Sequence, residues 1–114
     1  MRRQIIPPLV LSLILAFAAC ARPLATGALT AGVAAARQDV WEEAARHWKA
    51  VLERDPGSAA AHNNLAVAHE KQGAWEEARR EYEEALRLAP DDKAIKENYE
   101  AFMARLASGR GKRP

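Results

Sequence analysis

The spacing of apolar residues changes character along the chain. From Ile5 to Ala19 they form one almost continuous run, interrupted by Pro7, Pro8 and Ser12. Further on they recur at intervals of three and four, the spacing that gathers side chains on one face of an α-helix. Ala59 to Gln72 places Leu65, Ala66 and His69, with His62 before them, along one stripe. Trp75 to Leu88 does the same with Trp75, Ala78, Tyr82, Ala85 and Leu86. No stretch beyond the first 20 residues alternates Val, Ile, Thr and aromatics at period two. The pattern predicts an all-α protein.

The punctuation fits these helices. Gly73 stands where a left-handed residue ends one helix before the next begins at Trp75. Pro90 stops that second helix, and Asp91 or Asp92 is placed to cap a third, from Lys93 to Ala107. Earlier, Pro56-Gly57-Ser58 supplies the same stop and cap, and Asp39 with Glu42 three residues on reads as a variant capping box.

Shifting the chain on itself by 34 residues brings like onto like. Trp41-Glu42-Glu43-Ala44 falls on Trp75-Glu76-Glu77-Ala78; Arg46 falls on Arg80, Trp48 on Tyr82, Leu52 on Leu86 and Pro56 on Pro90. The register continues from Asn64-Leu65 to Asn98-Tyr99. Each period holds two helices. Neither can bury its stripe alone, so the pair closes as a hairpin and stacks on its neighbour.

Composition refines the picture. Apolar residues make up 49% of the chain but only 6% are aromatic, and the abundance of Ala favours closely approaching helix axes. The formal charge of +2 depends on the ends. Without Arg2 and Arg3 the chain balances at 15 basic and 15 acidic residues, and Cys20 to Ala107 holds 12 basic against 15 acidic. A faintly acidic body offers no field for nucleic acid. The basic residues Arg110, Lys112 and Arg113 belong to a tail, 108–114, with the composition of a frayed end.

The single cysteine, Cys20, closes no disulfide within the chain and completes no zinc cluster. Its surroundings give it another role. Arg2 and Arg3 precede an apolar stretch of 15 residues, which as a helix spans about 22 Å, short of the ~30 Å hydrocarbon core. A basic start, an apolar middle and then small residues have the form of an export signal. Phe17-Ala18-Ala19-Cys20-Ala21 resembles the lipobox of bacterial lipoproteins, with Phe17 where an aliphatic residue is usual. The resemblance implies cleavage after residue 19, lipidation of Cys20 and, since Ala21 is not Asp, delivery to the periplasmic face of the outer membrane. Alternatives are an ordinary cleavage site at Ala19-Cys20-Ala21 giving a soluble periplasmic protein, an uncleaved short anchor, or an incidental cysteine.

The repeat resembles the tetratricopeptide repeat. Ala59 to Asp92 carries Leu65, Gly73, Trp75, Ala78, Tyr82, Ala85 and Pro90 at the family's positions, with Ala66 for a usual Gly and His69 for a usual Tyr. Ala25 to Ser58 is a degenerate unit that keeps Gly32, Trp41, Ala44, Trp48, Leu52 and Pro56, with Ala31 for the usual Leu. Lys93 to Ala107, with Asn98, Tyr99 and Phe102, is similar to the helix that closes such arrays. The resemblance implies a short right-handed solenoid: leader 1–19, lipidated end and linker 20–24, repeats 25–58 and 59–92, closing helix 93–107 and tail 108–114.

In this family first helices line a concave groove through the second, fifth, ninth, twelfth and thirteenth positions of each unit. Those residues are Thr26, Leu29, Val33, Ala36 and Arg37; Ala60, Asn63, Val67, Glu70 and Lys71; and Ala94, Glu97, Ala101, Ala104 and Arg105. Asn64 and Asn98 stand beside them. Leu29, Val33, Val67 and Ala101 form an apolar strip suited to a helix or extended segment of a protein partner, although such residues also pack between neighbouring helices. Basic residues that clamp a carboxylate in some relatives are not matched: Leu29, Val33, Ala94 and Asn98 occupy their places, and only Asn64 fits. Two repeats with one closing helix are close to the smallest independent array, so pairing with a second copy or a partner is expected to add stability.

Catalytic constellations are missing. His62 and His69 share a helical face with Glu70 adjacent but lack a third metal ligand, and His47 lies beside Arg46 and Trp48 as a surface residue. Glu42-Glu43, Glu76-Glu77 and Glu83-Glu84 lie about one turn from Arg46, Arg80 and Arg87, as solvated helix pairs do. No nucleophile elbow or phosphate-cradling glycine loop occurs. The expectation is a non-enzymatic, cofactor-free, membrane-tethered module, a scaffold or assembly factor of a cell-envelope complex. The alternative is a dedicated accessory subunit of an envelope enzyme or transporter.

Overall fold

The computed structural model describes residues 26–109. The expected leader, Cys20 with its linker, and the basic residues of the tail lie outside them. Among the described residues there are five helices and no strand: α1 (26–37), α2 (Trp41–Arg54), α3 (Ala59–Lys71), α4 (Trp75–Leu88) and α5 (Lys93–Ala107). None of these helices is long and apolar enough to cross a membrane. α3 packs against α2 and α4, and α5 against α4 and α3. This is an all-α helical-repeat solenoid.

Small residues set how closely the helices approach. Ala44, Ala61, Ala66, Ala68, Ala78 and Ala85 are wholly covered, and each lets a neighbouring helix come near without an intervening side chain. Two apolar clusters result, with α3 as their shared wall. Leu65 and Ala68 join Ala35, Ala44, Ala45 and Trp48 on one side. Ala66 joins Ala78, Tyr82 and Phe102 on the other. Burying the large side chains among them, such as Leu65 and Phe102, contributes about 1.5–3 kcal/mol each.

Helix ends fall into two kinds. Ser58 caps α3 by accepting from the Ala61 N–H at 3.2 Å, and Asp92 caps α5 by accepting from the Ile95 N–H at 3.1 Å. Such caps contribute ~1 kcal/mol each. α2 and α4 begin instead at Val40 and Ala74, with no side-chain cap. Their entry is fixed by a left-handed residue that ends the helix before. Gly73 has φ 75°, and its N–H and that of Ala74 donate to Glu70 and His69 carbonyls. Asp39 has φ 59°, and its N–H and that of Val40 donate to Ala36 and Ala35 carbonyls in the same pattern.

Asp39 therefore forms no capping box with Glu42. With only Gln38, Asp39 and Val40 between α1 and α2, the chain reverses through one left-handed residue, and Asp39 is that residue. Surface pairing also differs in detail from the expected register. It is the second Glu of each doublet that engages: Glu43 with His47 at 3.6 Å, Glu77 with Arg80 at 3.8 Å and Glu84 with Arg87 at 2.5 Å. Arg87 holds the Glu84 carboxyl below its ordinary range, chiefly by hydrogen bonding.

Candidate functional site: the trough of first helices

Residues from α1, α3 and α5 meet along one side of the array. A cavity of about 310 Å³ is bounded by Val33, Ala36 and Arg37 of α1 and by Asn63, Asn64 and Val67 of α3. Trp41 and Trp48 of α2 and Asn98 of α5 complete its lining. A second cavity of about 220 Å³ is lined by Val67, Glu70, Lys71, Tyr82, Asn98 and Arg105. Val67 and Asn98 belong to both, so the two adjoin and together make up a trough along this side.

Polar groups along the trough are tied to one another. The Asn98 side-chain amide donates to Asn63 Oδ1 at 3.1 Å, and Asn63 Nδ2 lies 3.5 Å from Asn64 Oδ1. Glu70, whose side chain is 10% exposed, is ion-paired with Arg105 and accepts the Tyr82 hydroxyl at 3.2 Å. Burial, then the charge and hydrogen bond of Glu70, push the Tyr82 phenol well above its ordinary 10.0, against the opposing effect of Arg105. Tyr82 is thus held as a hydroxyl donor. The Lys71 ammonium stands over the Trp41 ring, 5.6 Å from its centroid, an arrangement that contributes ~0.5–1 kcal/mol at an exposed site.

Of the residues expected in the groove, Val33, Arg37, Asn63, Asn64, Val67, Glu70, Lys71 and Asn98 line this trough, together with Ala36 and Arg105. Leu29, Glu97 and Ala101 do not line these cavities. Leu29 packs against the first core cluster, and its carbonyl accepts the Trp48 indole N–H at 3.2 Å. The reason is Gly32: a Cβ there would stand 2.3 Å from Trp48 Nε1, so its absence lets the indole reach the backbone of α1 and engage that turn. Glu97 and Ala101 are exposed on α5, Glu97 lying 3.7 Å from Lys93. Among the described residues no hairpin packs beyond α5 to extend the trough over them.

Trp41, Trp48 and Tyr82 were not among the expected groove residues. Their repeat positions mark them as packing aromatics, which they also are. The signal for the tryptophans lay in the first helix of the degenerate unit, where Ala31, Gly32, Ala34, Ala35 and Ala36 carry too little bulk to fill the space beside the rings.

His62 and His69 do not act together. His62 bridges helices, with Nδ1 2.6 Å from Glu81 Oε2 and Nε2 2.9 Å from the Pro56 carbonyl. The His69 imidazole has a lowered pKa, by burial first and by Lys49 next. Among the described residues no three His, Cys, Asp or Glu side chains are grouped to hold a metal ion.

The geometry is that of a helical hairpin array with a lined concave side. A family model described as tetratricopeptide repeat matches residues 29–93, more than half of the chain, and the chain belongs to that family. Its domains are generally non-catalytic modules of protein–protein interaction. No curated protein matches the chain.

Proposed function

We propose that this chain is a membrane-tethered interaction module of a bacterial cell envelope, held by lipid on Cys20 and serving as a scaffold or assembly factor. The observation that supports a binding role is the trough running from α1 to α5, with an apolar line at Val33 and Val67 and amides beside it. Apolar contacts with a few convergent polar groups suit a segment of another protein, whose side chains take the apolar line and whose backbone takes the amides. The export signal and lipobox of the first 20 residues motivate the tether. Two or more acyl chains anchor durably, at ~0.8 kcal/mol per buried CH₂.

Photocrosslinkers placed at Val33 and Val67 in intact cells, with mass spectrometry of the adducts, test the binding face. A recurrent partner captured from both positions is expected; adducts formed only from exposed positions of α2 and α4 would place binding on the other side. Cys20→Ser tests the tether: release of the protein from washed membranes is expected, and full retention contradicts lipidation.

A further inference from the structure

The trough carries a charge pattern as well as a shape. The thirteenth position of each 34-residue unit is basic, Arg37, Lys71 and Arg105, and all three side chains line the trough. The surrounding body has the opposite sign: residues 26–109 hold all 15 acidic residues of the chain but only 11 Lys and Arg. The helix dipole favours a cation in any last turn by ~0.3–1 kcal/mol, and it accounts equally for Arg54 and Arg87 at the ends of α2 and α4. It does not account for three cations meeting along one trough whose lining includes a single carboxylate, Glu70.

These cations differ in what already holds them. Arg105 is paired with Glu70, and Lys71 lies over Trp41. The Arg37 side chain has no ion pair or hydrogen bond among the described residues and borders the same cavity as Val33, Asn63 and Asn64. A cation beside amides and an aliphatic strip is complementary to a chain that presents carboxylates between aliphatic side chains. A bilayer surface or a nucleic acid is too broad to enter, and the acidic body repels both.

We propose that the trough selects an acidic, extended segment of a partner protein, its aliphatic side chains on Val33 and Val67 and a carboxylate on Arg37. This rests on the trough being the binding face. The test titrates the full chain in detergent micelles with short labelled peptides that share one leucine pattern and carry Asp and Glu, their amides Asn and Gln, or Lys between the leucines. Fluorescence anisotropy is expected to show the acidic peptide bound about tenfold more tightly than the neutral one, the size of one charge-assisted hydrogen bond. Added salt should erode that preference, and Arg37→Gln should abolish it by lowering the affinity for the acidic peptide to that for the neutral one. Equal affinity for acidic and neutral peptides, or a preference that survives Arg37→Gln, overturns the charge selection and leaves the trough as the binding face. A neutral peptide that binds Val33→Asp, altered at an exposed position, as well as it binds the unaltered chain removes the trough reading itself. Displacement of the acidic peptide by anionic vesicles or duplex DNA at equal charge concentration overturns the choice of a protein segment.

Discussion

In the first hairpin an indole lies against a glycine; one period later a phenol ring stands in the same place, packed with an alanine. Trp48 meets Gly32 and donates to the Leu29 carbonyl of its own first helix. Tyr82 packs with Ala66 and Phe102 and donates to Glu70, which in turn holds Arg105 of α5. The first aromatic closes its hairpin on itself, whereas the second ties its hairpin to the next helix. Around Tyr82 the rings of Phe102 and Tyr99 stand 5.2 and 6.1 Å away, and Trp75 lies 6.1 Å from Phe102. Where α3 has Leu65 and α5 has Tyr99, α1 has only Ala31. Repetition of geometry does not imply repetition of stability. The second hairpin with α5 is the anchor, and α1 is the element held by least apolar surface, so its amides are expected to exchange first.

The largest test of that contrast removes the anchor. Phe102→Ala empties the centre of the ring cluster, where the side chain has no exposure, and is expected to cost ~3–5 kcal/mol. Urea unfolding should show the loss across the whole array; a cost below 1 kcal/mol, or one confined to α5, would deny the cluster its role. Gly32→Ala attacks the other hairpin. The new methyl gains about 1 kcal/mol of helix propensity but stands 2.3 Å from the buried Trp48 indole, an overpacking cost of ~1–3 kcal/mol. Net destabilisation with altered tryptophan fluorescence is expected, whereas Ala at the equivalent Ala66 is already tolerated. A stabilised Gly32→Ala variant would show that Trp48 repacks freely.

The turns permit a paired exchange of smaller size. Gly73→Ala places a Cβ at φ 75° and is expected to cost about 1 kcal/mol. Asp39→Gly relieves the same conformation at φ 59° and is expected to add at most ~1 kcal/mol, since Asp tolerates the left-handed region better than most residues. Thermal melts of both variants should move in opposite directions. Movement in the same direction would mean that Asp39 makes a compensating contact.

Helix bounds were legible because the 34-residue register repeats the punctuation along with the apolar stripe. Trp75–Leu88 and Lys93–Ala107 fall on the expected residues, and Ala59–Lys71 ends one residue early because Gln72 is its C-cap. Asp39 misled because the same residue type caps a helix or reverses a chain, and only the length of the turn decides between them. In the trough, position alone predicted that Val33, Arg37, Asn63, Val67 and Lys71 share one face, and all five line the cavities. It could not place Leu29, whose direction depends on a glycine three residues away and on an indole from another helix. Periodicity encodes faces, while the presence of Trp41 and Trp48 in the trough's lining depends on the volume their neighbours lack.

The smallest effect separates the hairpins by pH. His69 lies between α2 and α4, facing Lys49 of α2 and Glu77, Arg80 and Glu81 of α4, and its pKa is lowered from 6.5 by burial first and by Lys49 next. One period earlier the position is Ala35, buried in the first cluster. A lowered folded-state pKa means that the unfolded chain takes up the proton first. Stability is therefore complete above about pH 6.5 and falls as pH drops through that value toward the folded pKa. The exposed Glu84–Arg87 pair weakens only in the more acidic range where the carboxyl itself protonates. His69→Gln should flatten the upper part of the acid profile and leave the lower part unchanged. The same substitution should leave the Trp48 environment unaffected, because no titrating group replaces His69 in the first hairpin. Stability that still falls with the same slope just below pH 6.5 in His69→Gln would assign the loss to another group and end the contrast there.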